Sequence, residues 1–165
     1  MKPCLRKLLK LIALIVSVVL ITVLAVRAYD VHGGPSLQLW HTHVPHEMSR
    51  KEISKADWAT YIAAENAVFD EVKREVTSKL EADVRVPGNR YYIDSPIYPG
   101  HFKQDWNRSY LLEPQGSPRG AVVLLHGLTD APYSLRHIAK LYQQRGYVVV
   151  AIRMPGHGTV PAGLT

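Results

Sequence analysis

Four stretches of the chain have a clear hydrophobic pattern. The first runs from Leu8 to Val26 and is almost entirely Leu, Ile, Val and Ala. In the second, residues 55–82, apolar side chains recur every three or four positions. The last two, residues 121–125 and 147–152, are short continuous apolar runs. These patterns predict a membrane-spanning helix, an amphipathic helix and two buried strands.

The first apolar stretch is long enough to cross a bilayer. Residues 8–26, at about 1.5 Å each, make a helix of roughly 28 Å. Cations precede it at Lys2, Arg6 and Lys7, and Lys10 lies near its start. The positive-inside rule therefore predicts a single-pass anchor in the inner (cytoplasmic) membrane, with the N-terminus cytoplasmic and the rest outside, periplasmic or extracellular. A cleavable signal peptide, with a passable site around residues 26–28, is the alternative.

The amphipathic stretch predicts one helix from about Lys55 to Ala82. Its apolar stripe consists of Trp58, Ile62, Phe69, Val72, Val76 and Leu80. The opposite face, which includes Glu65 and Glu71, is expected to be solvated. Two capping signatures precede the helix, Ser49-x-x-Glu52 and Ser54-x-x-Asp57. We interpret the stripe as a face that packs on the rest of the chain or on a partner, without chemistry of its own.

In the segments on either side of this helix, apolar residues do not recur at a regular spacing. In residues 29–53, His41, His43, His46 and Glu47 are spaced as metal ligands could be. Pro45 interrupts any helix there, however, so we favour an irregular segment that packs Leu39 and Trp40 against the domain. Residues 84–107 are rich in Tyr, Pro and Gly, which is typical of turns with aromatic anchors.

The C-terminal third predicts a β–α–β unit. The strand at 121–125 is followed by a helix over 133–145, with Asp130 as its N-cap and Gly146 just after its end. The strand at 147–152 completes the unit. A further strand at 108–113 is expected to pair antiparallel with 121–125 across the turn at 114–120. The fold class is therefore α/β.

The net charge of +6 does not indicate a nucleic-acid surface. Five of the 20 basic residues and none of the 14 acidic ones lie before residue 28. The remainder carries 15 basic and 14 acidic residues, a net charge of +1. Nucleic-acid partners are therefore not expected. Cys4 is the one cysteine, so disulfides and Cys-based zinc sites within the chain are excluded.

Two short motifs resemble a known family. Residues 124–129, Leu-Leu-His-Gly-Leu-Thr, follow the first strand, and Pro-Gly-His-Gly at 155–158 follows the second. Together with the β–α–β unit they resemble the α/β-hydrolase fold, and within it the serine aminopeptidase S33/lysophospholipase (monoglyceride-lipase-like) branch. Over residues 108–165 the resemblance is specific, whereas the linker and amphipathic helix resemble the N-terminal extension of membrane-tethered bacterial members less closely.

The resemblance implies a partial active site. The backbone N–H of Leu128 would be an oxyanion-hole donor, with Gly127 and His126 shaping its turn. Thr129 and His157 are candidate site-lining residues, and His126 and His157 are expected to be structural. The substrate would be a small acyl compound, such as an ester or acylglycerol, and neither cofactor nor metal is implied.

The catalytic triad itself is not in the sequence. Gly-x-Ser-x-Gly occurs nowhere in the 165 residues. In the family the nucleophile, acid and catalytic histidine follow later in the chain. We therefore expect an N-terminal fragment of a membrane-anchored serine hydrolase, inactive alone. A non-enzymatic membrane-tethered interaction module or gene remnant is the alternative. The expected divisions are 1–28 (anchor), 29–53 (linker), 54–83 (amphipathic helix), 84–107 (connector) and 108–165 (incomplete hydrolase domain).

Overall fold

A computed structural model describes residues 3–164 of the chain. It divides into two compact units, Met1–Leu37 and Gln38–Thr165. The first unit is one long helix, α1 (Pro3–Gly33). Within it, Arg6–Gly33 contains an 18-residue stretch with a mean hydropathy of 2.9, and this helix is long and apolar enough to cross a membrane. The predicted apolar helix is confirmed, and it extends past the predicted end to Gly33, where Gly34 and Pro35 follow.

The second unit contains helices, short 3₁₀ turns and a small sheet. Its helices are α2 (Leu39–Thr42), α3 (Arg50–Ile53), α4 (Trp58–Glu75) and α5 (Arg136–Gln144). Its strands are β1 (Tyr110–Leu112), β2 (Gly120–Leu125) and β3 (Tyr147–Ile152). The 3₁₀ turns are Thr77–Lys79, Ala82–Val84, Pro99–His101, Pro132–Leu135 and Pro161–Leu164.

The amphipathic helix is shorter than predicted. The capping box at Ser49 and Glu52 is confirmed, but it opens the separate short helix α3. Asp57 caps α4, because its carboxylate accepts a hydrogen bond from the Thr60 N–H at 2.8 Å. The helix ends at Glu75, where the β-branched pair Val76-Thr77 has low helix propensity. The prediction of one continuous helix to residue 82 is therefore wrong.

The expectation of a solvated polar face on α4 is also wrong at two positions. Glu65 is only 3% exposed and Glu71 only 8%. Both carboxylates have polar partners on other segments, which satisfies their need for hydrogen bonds away from water.

The sheet contains the predicted β–α–β unit. β2 and β3 are parallel neighbours, paired from Gly120 and Tyr147 to Leu125 and Ile152, and α5 connects them. The strand order is β1-β3-β2, so β1 pairs antiparallel with β3 and not with β2. The predicted hairpin between β1 and β2 is therefore wrong. The connection between them, which contains Pro114 and Pro118, leads the chain past β3 in place of a tight two-strand turn.

The start of α5 also differs from the prediction. The chain after Asp130 first forms the 3₁₀ turn Pro132–Leu135, and α5 begins only at Arg136. The prediction of Asp130 as the helix N-cap is wrong, because Ala131 is at the N-cap of the 3₁₀ turn and Leu135 at that of α5. Among the described backbone N–H groups, only that of the adjacent Ala131 donates to the Asp130 carboxylate, at 2.7 Å. Gly146 has a φ of 91°, which confirms its role just after the helix end.

Two apolar clusters hold the second unit together. One joins the α4 stripe to the segment after β3 and is formed by Val72, Val76, Leu80, Val160 and Ala162. Leu39 and Trp40 pack against it, as predicted for the linker. The other lies between α5 and one face of the sheet and is formed by Tyr110, Ala139, Val149 and Ala151. α4 and the sheet are thus connected through residues 153–162.

The opposite face of the sheet is largely open. On it, Leu111 is 44% exposed, Val123 60% and Leu125 63%. β2 is also an edge strand, since only β3 pairs with it among the described residues. Parallel strands are normally covered on both faces, so this surface is unusual for a parallel pair.

The burial of Tyr110 predicts that the stability of the folded state decreases at alkaline pH. Tyr110 is 6% exposed and its hydroxyl donates to the Pro132 carbonyl at 3.2 Å, and burial raises its pKa to about 12. The neutral phenol is therefore favoured in the folded state, and the stability this gives is present below pH ~10 and lost as the pH rises towards 12. Tyr110→Phe should cost about 1 kcal/mol at pH 7 and flatten the loss of stability above pH ~10.

Urea unfolding of the full chain in detergent, followed from pH ~7 to ~11.5, checks this. Tyr133→Phe, at a tyrosine that is 49% exposed, is the control. An alkaline slope that is the same in Tyr110→Phe as in the wild type would contradict the assignment.

Candidate functional site

The site predicted from the motifs lies at the carboxyl end of the parallel strand β2. The strand ends at Leu125, and residues 126–130 turn away from the sheet before the 3₁₀ turn that leads to α5. In α/β sheets this edge is where ligands bind. Gly127 is not among the glycines with positive φ, and a side chain there would meet nothing within 4 Å. Its contribution is open space beside the backbone.

His126 is buried and both of its ring nitrogens are occupied. Its Nε2 accepts a hydrogen bond from the Met154 N–H at 3.1 Å. That assignment leaves the proton on Nδ1, which lies 2.9 Å from the Gly127 carbonyl oxygen and donates to it. His126 thus ties the end of β2 to the segment after β3.

Leu128, the predicted backbone donor, has an N–H that is free within the described part of the chain. The residue is 82% exposed, and no hydrogen bond between the described residues uses its N–H. Its carbonyl oxygen contacts His157, whose Nε2 lies 2.7 Å from it. The carbonyl group of Leu128 is therefore held by the contact with His157, whereas its N–H has no hydrogen-bond partner among the described residues.

His157 connects the two motif loops. Besides its contact with Leu128, its Nδ1 lies 3.0 Å from the Pro155 carbonyl oxygen. The rings of His157 and His126 are 4.8 Å apart between centroids. Because both ring nitrogens of His157 face carbonyl oxygens, its geometry is that of a structural link.

A cavity of about 330 Å³ lies beside these loops. Thr129 and His157, the two residues predicted to line the site, are both in its wall, together with Asp130. Hydrogen bonds from the Ser134 hydroxyl and the Ala131 N–H lower the pKa of Asp130. Leu128 is not part of that wall, although the next two residues of the turn are.

The glycines of the Pro-Gly-His-Gly loop explain its shape. Gly156 and Gly158 have φ values of 82° and 72°, in the left-handed region. A side chain on Gly156 would lie 2.2 Å from the Gly163 oxygen, and one on Gly158 would lie 2.8 Å from the Asn107 oxygen. Only glycine fits at either position, so the loop that presents His157 depends on both.

A buried ion network under this loop holds it in place. Arg153, directly after β3, is 1% exposed. Its guanidinium pairs with both carboxylate oxygens of Glu47 at 2.8 Å and with Glu65 Oε2 at 3.1 Å. The same Glu47 accepts from the Gly156 N–H at 2.8 Å, and the guanidinium donates to the His157 carbonyl at 2.9 Å. Although burial acts to lower it, the hydrogen bonds with Glu47 raise the pKa of Arg153.

Further contacts extend this network into β1 and α4. Glu65 accepts from both the N–H and the hydroxyl of Ser109, at 2.9 and 2.6 Å. The Ser109 hydroxyl in turn accepts from the Arg153 N–H at 2.8 Å. The Tyr61 hydroxyl donates to the Arg153 carbonyl. Glu47, Glu65 and Arg153 were not predicted as site residues. The sequence feature that could have indicated this network is an arginine immediately after a buried strand.

The histidine-rich linker interacts with α4. His43 Nε2 and His46 Nδ1 each lie 3.0 Å from Glu71 Oε1, and the His46 N–H donates to Glu71 Oε2 at 3.1 Å. Burial opposes ionisation of Glu71, but its hydrogen bonds with His46 hold its pKa below the ordinary value. Among residues 3–164, no group of three or more His, Cys, Asp or Glu side chains is arranged to hold a metal ion.

The comparisons with known proteins are limited to a short stretch. No protein-family model matches the chain, and no solved structure matches it. A thermostable monoacylglycerol lipase from Bacillus sp. (strain H-257) is 47% identical over 38 residues, which are 23% of this chain. The matched stretch covers 15% of the length of that lipase.

The ion network predicts a stability loss when Glu47 is neutralised. Glu47→Gln leaves Arg153 without its two-point carboxylate partner, so the free energy of unfolding should fall by about 2 kcal/mol. Urea unfolding of the full chain in detergent measures this. Limited trypsin digestion should also cut faster after Arg153, since its loop is released.

Glu113→Gln is the matched control, because Glu113 is exposed and forms no ion pair within the described part of the chain. We expect that variant to be within about 0.5 kcal/mol of the wild type. Equal losses in the two variants would show that the Glu47–Arg153 pair does not hold the loop.

Proposed function

We propose that residues 108–164 belong to an acyl-ester hydrolase of the α/β type, in the S33/lysophospholipase branch, whose substrate is an acylglycerol or related ester. The observation that carries the proposal is the free Leu128 N–H at the carboxyl end of a parallel strand, beside a cavity lined by Thr129 and His157. The short identity with a monoacylglycerol lipase supports the same class of substrate.

In the proposed reaction the residues of the two motif loops stabilise the developing negative charge, and none of them is the nucleophile. The Leu128 N–H donates to the oxyanion that forms when a nucleophile adds to the ester carbonyl, a contribution of roughly 3 kcal/mol to the transition state. The contact between His157 and the Leu128 carbonyl holds the donor turn, and His126 fixes it to the segment after β3.

The attacking group is not supplied by the described serines near the loops. The Ser109 hydroxyl donates to Glu65, and the Ser134 hydroxyl lies between the Asp130 carboxylate and the Ala131 carbonyl, so each is engaged by oxygens and not by a basic histidine. Since Gly-x-Ser-x-Gly is absent from the sequence, we propose that these 165 residues alone form no acyl-enzyme. Hydrolysis then requires a serine from outside them.

A chimera tests the oxyanion role. Residues 108–164 would replace the corresponding segment of the Bacillus lipase, which brings its own nucleophile. We expect monoacylglycerol hydrolysis to be retained and Leu128→Pro, which removes the N–H, to lower kcat by about 10²–10³-fold. Leu128→Ala, which keeps the N–H at an exposed position, is the matched control and should lose less than about threefold.

Two outcomes would overturn the proposal. One is a folded Leu128→Pro chimera, shown by unchanged thermal unfolding, that keeps the activity of Leu128→Ala. The other is covalent labelling of the wild-type 165-residue chain by a fluorophosphonate probe, which would reveal an activated serine within it.

We also propose that α1 anchors the protein in the cytoplasmic membrane with Gln38–Thr165 outside. The support is the apolar helix Arg6–Gly33 and the cations that precede residue 8. We expect the protein to stay with membranes in alkaline carbonate, and protease added to intact spheroplasts to digest the second unit. Digestion only after the membrane is broken would reverse the orientation, and release by carbonate would exclude the anchor.

The open face of the sheet supports a second candidate function. Leu111, Val123 and Leu125 form an exposed aliphatic surface beside the free edge of β2. A membrane-tethered module without enzymatic activity would use such a surface to bind a protein partner. This candidate is favoured if the chimera folds but does not hydrolyse ester.

A further inference from the structure

A second, larger cavity lies between the aromatic connector and the start of α5. Its volume is about 970 Å³, within the range of sites for small organic ligands. The side chains in its wall that matter here are Arg90, Lys103, Trp106, Tyr133, Arg136 and Lys140. They come from three separate segments of the chain, so the cavity exists only in the folded unit.

Four of these side chains are cations without acidic partners. Arg90, Lys103, Arg136 and Lys140 form no ion pair within the part of the chain that the structure describes. The one carboxylate in the wall, Asp105, is already engaged. It lies 3.5 Å from Arg108 Nε and accepts from the Asn107 N–H and Nδ2 at 3.0 and 2.8 Å. The cavity therefore has a surplus of positive charge, which attracts anions.

The same wall has an apolar component. Lys140 Nζ lies 5.0 Å from the centroid of the Trp106 ring, and Arg136 Cζ lies 3.8 Å from that of Tyr133. Ile97 and Phe102 also line the cavity and are 49% and 58% exposed. Aliphatic and aromatic surface thus lies directly beside the cations, an arrangement suited to a ligand with a charged head and an apolar chain.

The cavity adjoins the candidate site described above. Arg90, Asn107 and Tyr133 line both this cavity and the smaller one that contains Thr129 and His157. A ligand in the larger cavity would therefore lie next to the donor turn, whether or not the chain takes part in hydrolysis.

We propose that this cavity binds an anionic amphiphile. Its carboxylate or phosphate head pairs with Lys103, Arg136 and Lys140, and its apolar chain lies on Trp106 and Phe102. The inference does not depend on the hydrolase function, because binding requires neither a nucleophile nor the Leu128 N–H.

Quenching of Trp106 fluorescence tests the proposal directly. The full chain, with Trp40→Phe and Trp58→Phe so that Trp106 is the one tryptophan left, would be placed in neutral phosphocholine nanodiscs. We expect 8-bromooctanoate to quench it saturably and 8-bromooctanol, matched in length but uncharged, to quench at least fivefold more weakly. Raising the salt concentration to about 0.5 M should weaken the binding of 8-bromooctanoate and leave the binding of 8-bromooctanol unchanged.

Substitution of two cavity lysines tests whether binding requires their positive charge. Lys103→Gln with Lys140→Gln should weaken 8-bromooctanoate binding about tenfold. Neither lysine donates a hydrogen bond to the described chain, so the fold should be kept. The matched control is Lys51→Gln with Lys55→Gln, two exposed lysines outside the cavity, and it should bind like the wild type.

Competition by octanoate and by octyl phosphate distinguishes the two head groups, since the better ligand displaces the probe at lower concentration. Equal quenching by the acid and the alcohol at low salt would overturn the proposal. So would unchanged affinity in the Lys103/Lys140 variant, or an equal loss in the Lys51/Lys55 control. Each of these results leaves the test of the hydrolase chimera unaffected.

Discussion

The buried guanidinium of Arg153 is the interaction on which the second unit depends. A charge that is 1% exposed is tolerated only when it is fully paired and hydrogen-bonded. Its carboxylate partners come from the linker, through Glu47, and from α4, through Glu65. The ionic requirement of one side chain therefore fixes three otherwise separate segments around the end of β3. Both loops of the candidate site are attached to this point, one directly and the other through His157.

This arrangement explains what the segments that precede the sheet contribute to the fold. The apolar stripe of α4 packs on Val160 and Ala162, while its polar face supplies Glu65 and Glu71. The linker contributes Leu39 and Trp40 to the apolar cluster and Glu47 to the ion network. The N-terminal half of the unit is thus a support for the motif-bearing half. Neither part has a complete set of partners without the other.

The parts of the fold that sequence could predict are those set by local pattern. Continuous apolar runs identified α1, β2 and β3, and Gly146 marked the end of α5. The failures came from contacts between distant residues. Nothing in the sequence near Glu65 shows that its carboxylate meets an arginine 88 residues later. Likewise, β1 follows a hairpin-like pattern, but its partner is the strand beyond α5, because that position buries Tyr110 against Ala139. The candidate site was predictable as motifs, whereas the network that holds those motifs was not.

The strand order has a consequence for how the protein is made. β3 lies between β1 and β2, yet it is synthesised after both of them. Until the ribosome has delivered it, the two earlier strands have no hydrogen-bonding partner, and Glu47 and Glu65 have no arginine to pair with. The nascent chain therefore exposes unpaired, aliphatic strand segments until β3 and Arg153 emerge, and pairing then completes the sheet and the ion network together. During that interval one of the exposed strands is the strand that later carries the candidate oxyanion turn.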